Sequence, residues 1–140
     1  MIQSFRSLYR HGSFALKFDE RIDDVVRREN VPLQYGVYVI SESGRPGAEI
    51  LCIGKSGTLC QDGTLKAQAL RKRLTMKQDG VYRRVFFTNK MKELGLPSLH
   101  FEWFVTFAST THVPPFLAEA QLLAAFYGEF SYLPRWNKAA

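Results

Sequence analysis

The chain has 140 residues, 46% of them hydrophobic and 14% aromatic, enough for one compact core and too apolar for a disordered segment. No run approaches the roughly 18 apolar residues of a membrane span, and residues 1–10 lack the apolar stretch of a secretory signal, so the expected location is cytoplasmic with no membrane partner. The net charge of +6 is unevenly placed: residues 64–92 carry nine basic side chains against Asp79 alone, whereas residues 1–63 balance eight against eight, which is the footprint of a polyanion partner or of a solvated helix face.

In chain order, Phe18, Ile22, Val25 and Val26 recur at helical spacing and predict a helix over residues 14–30, stopped by Pro32. Residues 34–41 predict a strand in which Tyr35, Val37 and Val39 alternate with Gly36, Tyr38 and Ile40. The stretch ESGRPG at 42–47 is a turn by composition, and residues 49–54 return as the second strand of a hairpin. A loop at 56–63 leads to a helix expected over 65–78. Residues 81–97 show no clear period and are expected to hold a short strand or helix, with a helical turn near 90–94. Residues 99–107 alternate again, with Leu99, Phe101, Trp103, Val105 and Phe107 on one face. Pro114 and Pro115 then open a last helix that runs to about residue 129. The sum is an α/β fold of the α+β type, a small three-stranded, mainly antiparallel sheet flanked by helices. Cys52 and Cys60 are expected as free thiols in a reducing compartment, and with His100 and His112 they have no zinc-binding spacing.

Chemistry gathers on the last helix. At about 100° per residue, Phe126, Leu123 and Leu122 all fall within about 60° of Glu119, so a carboxylate is set into an apolar stripe. Ionised, it is costly there unless a cation or hydrogen bonds meet it. Two readings stay open: a buried Arg–Glu pair that serves only the fold, and a metal ligand on the floor of a cleft. In the helix expected over 65–78, Lys66, Arg73 and Lys77 form a cationic edge beside a core stripe of Ala67, Leu70 and Leu74. Arg71 and Lys72 point elsewhere. An arginine on such a border can pair two phosphoryl oxygens through its planar fork, or the helix merely snorkels its charges.

Five short motifs follow one another: GVY at 36–38, CIG with Lys55 at 52–55, LRKRL at 70–74, AEAQLL at 118–123 and LPRWN at 133–137. This succession resembles the GIY-YIG nuclease superfamily over roughly residues 34–138, most closely the nuclease domain of bacterial nucleotide-excision-repair endonucleases. The resemblance implies a GIY-YIG-like nuclease domain at 34–140. Its activity would be a metal-dependent endonuclease that hydrolyses DNA phosphodiester bonds by water attack, with a single Mg²⁺ or Mn²⁺. Carried over residue by residue, Tyr38 orients or activates the water, with Lys55 placed to depress its pKa. Arg73 stabilises charge on the phosphoryl oxygens, Glu119 holds the metal and Asn137 braces the site. Gly54 admits the substrate backbone, and Lys66, Arg71, Lys72, Lys77, Arg83 and Arg84 are the expected phosphate contacts. The implied partner is DNA, duplex or branched and read without sequence specificity, in the setting of DNA repair.

This chain departs from the pattern in three places. Cys52 stands where the second motif normally has a tyrosine, the connection at 58–66 is longer, and Lys77 stands where a tyrosine sometimes follows the helix arginine. Residues 1–33 lie outside the pattern and are expected as an N-terminal helical extension packed on the core or making a protein or dimer contact. Two rival readings remain: a catalytically inactive nucleic-acid-binding module of the same fold, which Cys52 permits, and a protein-interaction domain with a structural Glu119–Arg73 pair.

Overall fold

Alternating apolar side chains build the long strands. The computed structural model describes residues 1–140, and its elements in chain order are α1 (Ile2–Leu8), β1 (Arg10–Lys17), α2 (Ile22–Arg28), β2 (Tyr35–Ser41), β3 (Ile50–Lys55), β4 (Thr58–Leu59), β5 (Leu65–Lys66), α3 (Leu70–Arg73), β6 (Lys77–Gln78), β7 (Val81–Tyr82), α4 (Arg83–Leu94), β8 (Ser98–Phe107) and α5 (Pro115–Phe130). Four strands form one sheet in the order β1-β8-β2-β3, antiparallel at every junction. The other four pair off as two short ribbons.

β8 is an interior strand of this sheet and is covered on both sides. Its Leu99, Phe101, Trp103 and Val105 join a core of 20 buried residues with side chains of α2, α3 and α4. Phe104 points the other way, into a second core with Phe5 of α1 and Ala118, Leu122, Leu123 and Phe126 of α5. A period of two thus feeds two cores from one strand. Gly36 is required where β2 runs against β8, because any Cβ there would collide with the Phe104 carbonyl. No helix is long and apolar enough to cross a membrane.

The sheet has four strands where three are expected. The helix expected over 14–30 begins only at Ile22, and residues 10–17 are instead the edge strand β1, paired with β8 from Arg10↔Val105 to Lys17↔Ser98. Phe14 and Leu16 are buried and their neighbours exposed, a period of two with only two buried positions, too short to stand out beside the helical spacing that follows. Residues 1–33 therefore contribute α1, β1 and α2 to the same sheet and cores, so they are more than a helical extension. The helix expected over 65–78 shrinks to the single turn α3. Ala67 has φ +70°, outside the helical region, and Asp79 and Gly80, at φ +52° and +82°, form the two-residue turn between β6 and β7. Conversely, residues 83–94 form a full helix closed by Gly95 in the left-handed conformation. Its charged and apolar residues fall in no single stripe, and for that reason periodicity did not reveal it.

Candidate functional site

The register of the central hairpin sets the site. Tyr38 lies opposite Gly54, and Val37 opposite Lys55. The Tyr38 ring occupies the space above Gly54, where a Cβ would run into its Cζ and Oη. Gly54 thus makes room for the tyrosine within the fold, a different duty from the substrate approach expected of it. Past β3 the chain is tied down by Ser56, fully buried, whose N–H donates to the Gly36 carbonyl (2.9 Å) while Gly36 N–H donates to Ser56 Oγ (3.0 Å).

From this end of the hairpin a cleft of about 600 Å³ opens. β2 and β3 supply Tyr38, Cys52, Gly54 and Lys55, and α3 supplies Arg73. The β6–β7 ribbon supplies Lys77 and Asp79, α4 opens with Arg83, α5 gives Glu119, and the C-terminal tail gives Trp136, Asn137 and Lys138. The fold therefore brings together Tyr38, Gly54, Lys55, Arg73, Lys77, Arg83, Glu119 and Asn137. Lys66, Arg71, Lys72 and Arg84 stay outside the cleft. Arg71 Nε donates to the Val31 carbonyl at 2.7 Å, which ties it to the loop before β2. Lys66 and Lys77 fall on separate ribbons rather than on one helix face with Arg73, because only one turn of that helix exists.

Glu119 is half-buried on the packed side of α5, where the helix overhangs the cleft. Burial raises its carboxyl above the usual glutamate value, with Lys55 and then Arg73 opposing. It forms no ion pair. The Arg–Glu pair that serves the fold is elsewhere: Arg6 donates to both oxygens of Glu102, at 2.6 and 2.8 Å, so the structural Glu119–Arg73 pair is absent. Lys55 donates to the Gly57 carbonyl (3.1 Å) and not to Tyr38.

Tyr38 is 1% exposed, and burial pushes its phenol above its ordinary value of 10.0, outweighing Arg83 and Arg73. The expectation that a neighbouring Lys55 depresses this pKa is thus reversed, and the cation beside Tyr38 is Arg83, whose Nη2 donates to Tyr38 Oη at 2.7 Å. Arg83 is 2% exposed. It was expected only as one more phosphate contact, and its burial had no signal in the charge pattern. Cys52 is buried and its thiol is pushed up to about 11, which removes it as a nucleophile at neutral pH.

Asn137 holds the outer edge of β3. Ile53 N–H donates to Asn137 Oδ1 (2.9 Å) and Asn137 Nδ2 donates to the Ile53 carbonyl (2.7 Å), while Trp136 N–H donates to the Leu51 carbonyl (2.9 Å). The amide braces the strand between Cys52 and Gly54. Two carboxylates line the cleft. Asp79 Oδ1 lies 3.2 Å from Lys138 Nζ, which leaves Glu119 as the unpaired one. No three His, Cys, Asp or Glu side chains converge anywhere in the chain. One half-buried carboxylate in an open polar cleft fits a hydrated Mg²⁺ or Mn²⁺ that keeps most of its waters, and does not fit a zinc-type cage.

Compared with family models, with curated proteins and with solved structures, the chain has no match in any of the three.

Proposed function

We propose that this protein is a metal-dependent endonuclease of the GIY-YIG type, cutting the phosphodiester backbone of DNA by attack of water in line with the leaving oxygen. What carries the reading is the convergence of Tyr38, Lys55, Arg73 and Glu119 from separate elements on one cleft in which the carboxylate has no partner. Arg73 forms no ion pair or side-chain hydrogen bond inside the fold, so its fork is free for two phosphoryl oxygens and for the charge that develops on them. Glu119 is the group that would hold the cation, which when bound supplies Lewis-acid stabilisation at the phosphorus. Tyr38 orients the phosphate and water from the floor. Asn137 keeps the β3 edge, and with it Gly54 and Lys55, in register.

The polymer is supported by the β6–β7 ribbon, whose Lys77 lines the cleft and pairs with Tyr82. Tyr82 is 52% exposed, with Lys77 Nζ 5.3 Å and Arg84 Cζ 5.6 Å from its ring centroid. An exposed aromatic flanked by cations suits a base stacked above its phosphate. Five basic side chains line the cleft against two acidic ones, which favours a polyanion. Cys52 favours a second reading, an inactive nucleic-acid-binding module, since a small buried thiol supplies no phenol to the cleft.

Nicking of supercoiled plasmid in Mg²⁺ or Mn²⁺ tests the proposal, wild type beside Glu119→Ala. Wild-type nicking should fall at least ~100-fold in the variant, the scale of losing one main electrostatic stabiliser of the transition state. Equal nicking by both proteins would remove Glu119 from the site. Salt-sensitive binding without nicking by either would favour the binding module.

A further inference from the structure

Arg83 brings a charge into the interior without a counter-charge. No carboxylate lies within ion-pair distance of it, and its Nε and Nη1 are buried with no hydrogen-bond partner. A guanidinium so placed is costly. The rings of Tyr38 and Phe87, with centroids 5.2 and 5.9 Å from Cζ, offset part of that cost. A purely structural position would be better filled by an apolar side chain.

The third nitrogen indicates the use. Arg83 Nη2 donates to Tyr38 Oη, and because arginine stays protonated and accepts nothing, the direction of this bond is fixed. It fills a lone pair of the phenol oxygen and turns the phenol's own proton away from Arg83. No group in the fold accepts that proton, since the bond from Arg83 is the one hydrogen bond Tyr38 Oη makes. Gly54, lacking a side chain, makes room for the phenol, and both residues line the cleft. A cation bonded behind a hydroxyl polarises the O–H in front of it. Burial, which holds the phenol protonated at neutral pH, agrees with a donor and disagrees with a base.

We infer that Tyr38 and Arg83 form an oxyanion seat: Tyr38 donates its O–H to a non-bridging oxygen of a phosphodiester in the cleft, and Arg83 is the positioning residue that orients and polarises that donor. The inference rests on the phosphodiester substrate proposed above and deepens it. The proton stays on Tyr38 throughout, so removal of the water's proton falls to another group.

The experiment uses the full chain with [¹³Cζ]tyrosine and ¹⁵N-arginine labels and dimethyl phosphate as the probe. Saturable, coupled shifts of the Tyr38 Cζ and Arg83 Nε–H signals are expected. Tyr38→Phe and Arg83→Gln should each weaken the probe's apparent Kd by about tenfold, about 1.4 kcal/mol, while Arg83→Lys recovers part of it. The free-protein Tyr38 signal should ionise above the ordinary tyrosine value. Removal of the unpaired charge in Arg83→Gln should leave the thermal midpoint unchanged or raise it, which a merely structural arginine would not do. Three results would overturn the seat: a probe that moves Arg73 but not Tyr38, unchanged affinity in Tyr38→Phe, or Tyr38 ionising below the ordinary tyrosine value. The outcomes separate the two proposals. Seat-type binding without plasmid nicking upholds the seat and sinks the nuclease, and nicking with no probe contact at Tyr38 does the reverse.

Discussion

Two glutamates in this chain meet the same problem in opposite ways. Glu102, on the interior strand β8, is buried and neutralised by both nitrogens that Arg6 presents. Glu119 is half-buried, unpaired and raised above its usual pKa by burial. For Glu119 the sign follows from linkage. The fold prefers the neutral carboxyl, so stability is fully present below the unfolded value near 4.5 and is lost as pH rises through the higher folded value. Glu119→Gln should therefore melt at a higher temperature than wild type at pH 7, and calorimetry should find the difference vanishing below about pH 4. A variant equal to or less stable than wild type at pH 7 would mean that the carboxylate is compensated within the fold. For cleavage the same shift predicts an acid limb above that of an ordinary glutamate, because the ionised form is the one able to hold a cation.

At the scale of elements, the cleft depends on an edge strand that is not left bare. β3 pairs with β2 on one side, and the tail residues Trp136 and Asn137 occupy the other, closing part of the free ladder that an edge strand exposes. Asn137→Ala removes two bonds to the Ile53 backbone and should cost about 1–3 kcal/mol in urea unfolding. Faster amide exchange at Ile53 should accompany it, with lowered nicking. A stability loss without any change in exchange along β3 would contradict the brace. The ribbons matter for the same reason. The turn at Asp79 and Gly80 folds β6 back on β7 and carries Lys77 to the cleft wall, whereas a continued helix would have swept it past.

Across the whole molecule, the charge of residues 64–92 is divided by the fold. Lys77, Arg73 and Arg83 reach the cleft, while Lys66, Arg71, Lys72 and Arg84 remain outside it. Binding of duplex DNA should then show a log–log salt slope set by a few cleft cations, about −0.9 for each phosphate neutralised. Lys77→Ala should reduce that slope by about one. Lys66→Ala and Lys72→Ala should each change it less, as fluorescence anisotropy across a salt series will report. Equal slopes for all three variants would place the phosphates on the outer surface instead of in the cleft.

What the sequence determined by itself was whatever local physics encodes. Alternation marked β2 and β8 and the short turn after β2 marked β3, each within a residue or two, and the Pro-opened apolar stripe marked α5 and its misplaced carboxylate. β1 has a weak local trace because its two buried positions, Phe14 and Leu16, run directly into the helical spacing of Phe18, Ile22, Val25 and Val26. The β6–β7 ribbon has a local signal in the hairpin dipeptide Asp79-Gly80, but strands of only two residues on either side leave no alternation to accompany it. Other features had no local trace. That Gly54 serves Tyr38, that Asn137 clamps Ile53 from 84 positions away, and that Arg83 is buried against Tyr38 from 45 positions away follow from cross-strand register and from packing two layers onto one sheet. Only the tertiary structure decided these, because burial and partner choice are properties of the closed fold, whereas period and turn chemistry belong to the chain.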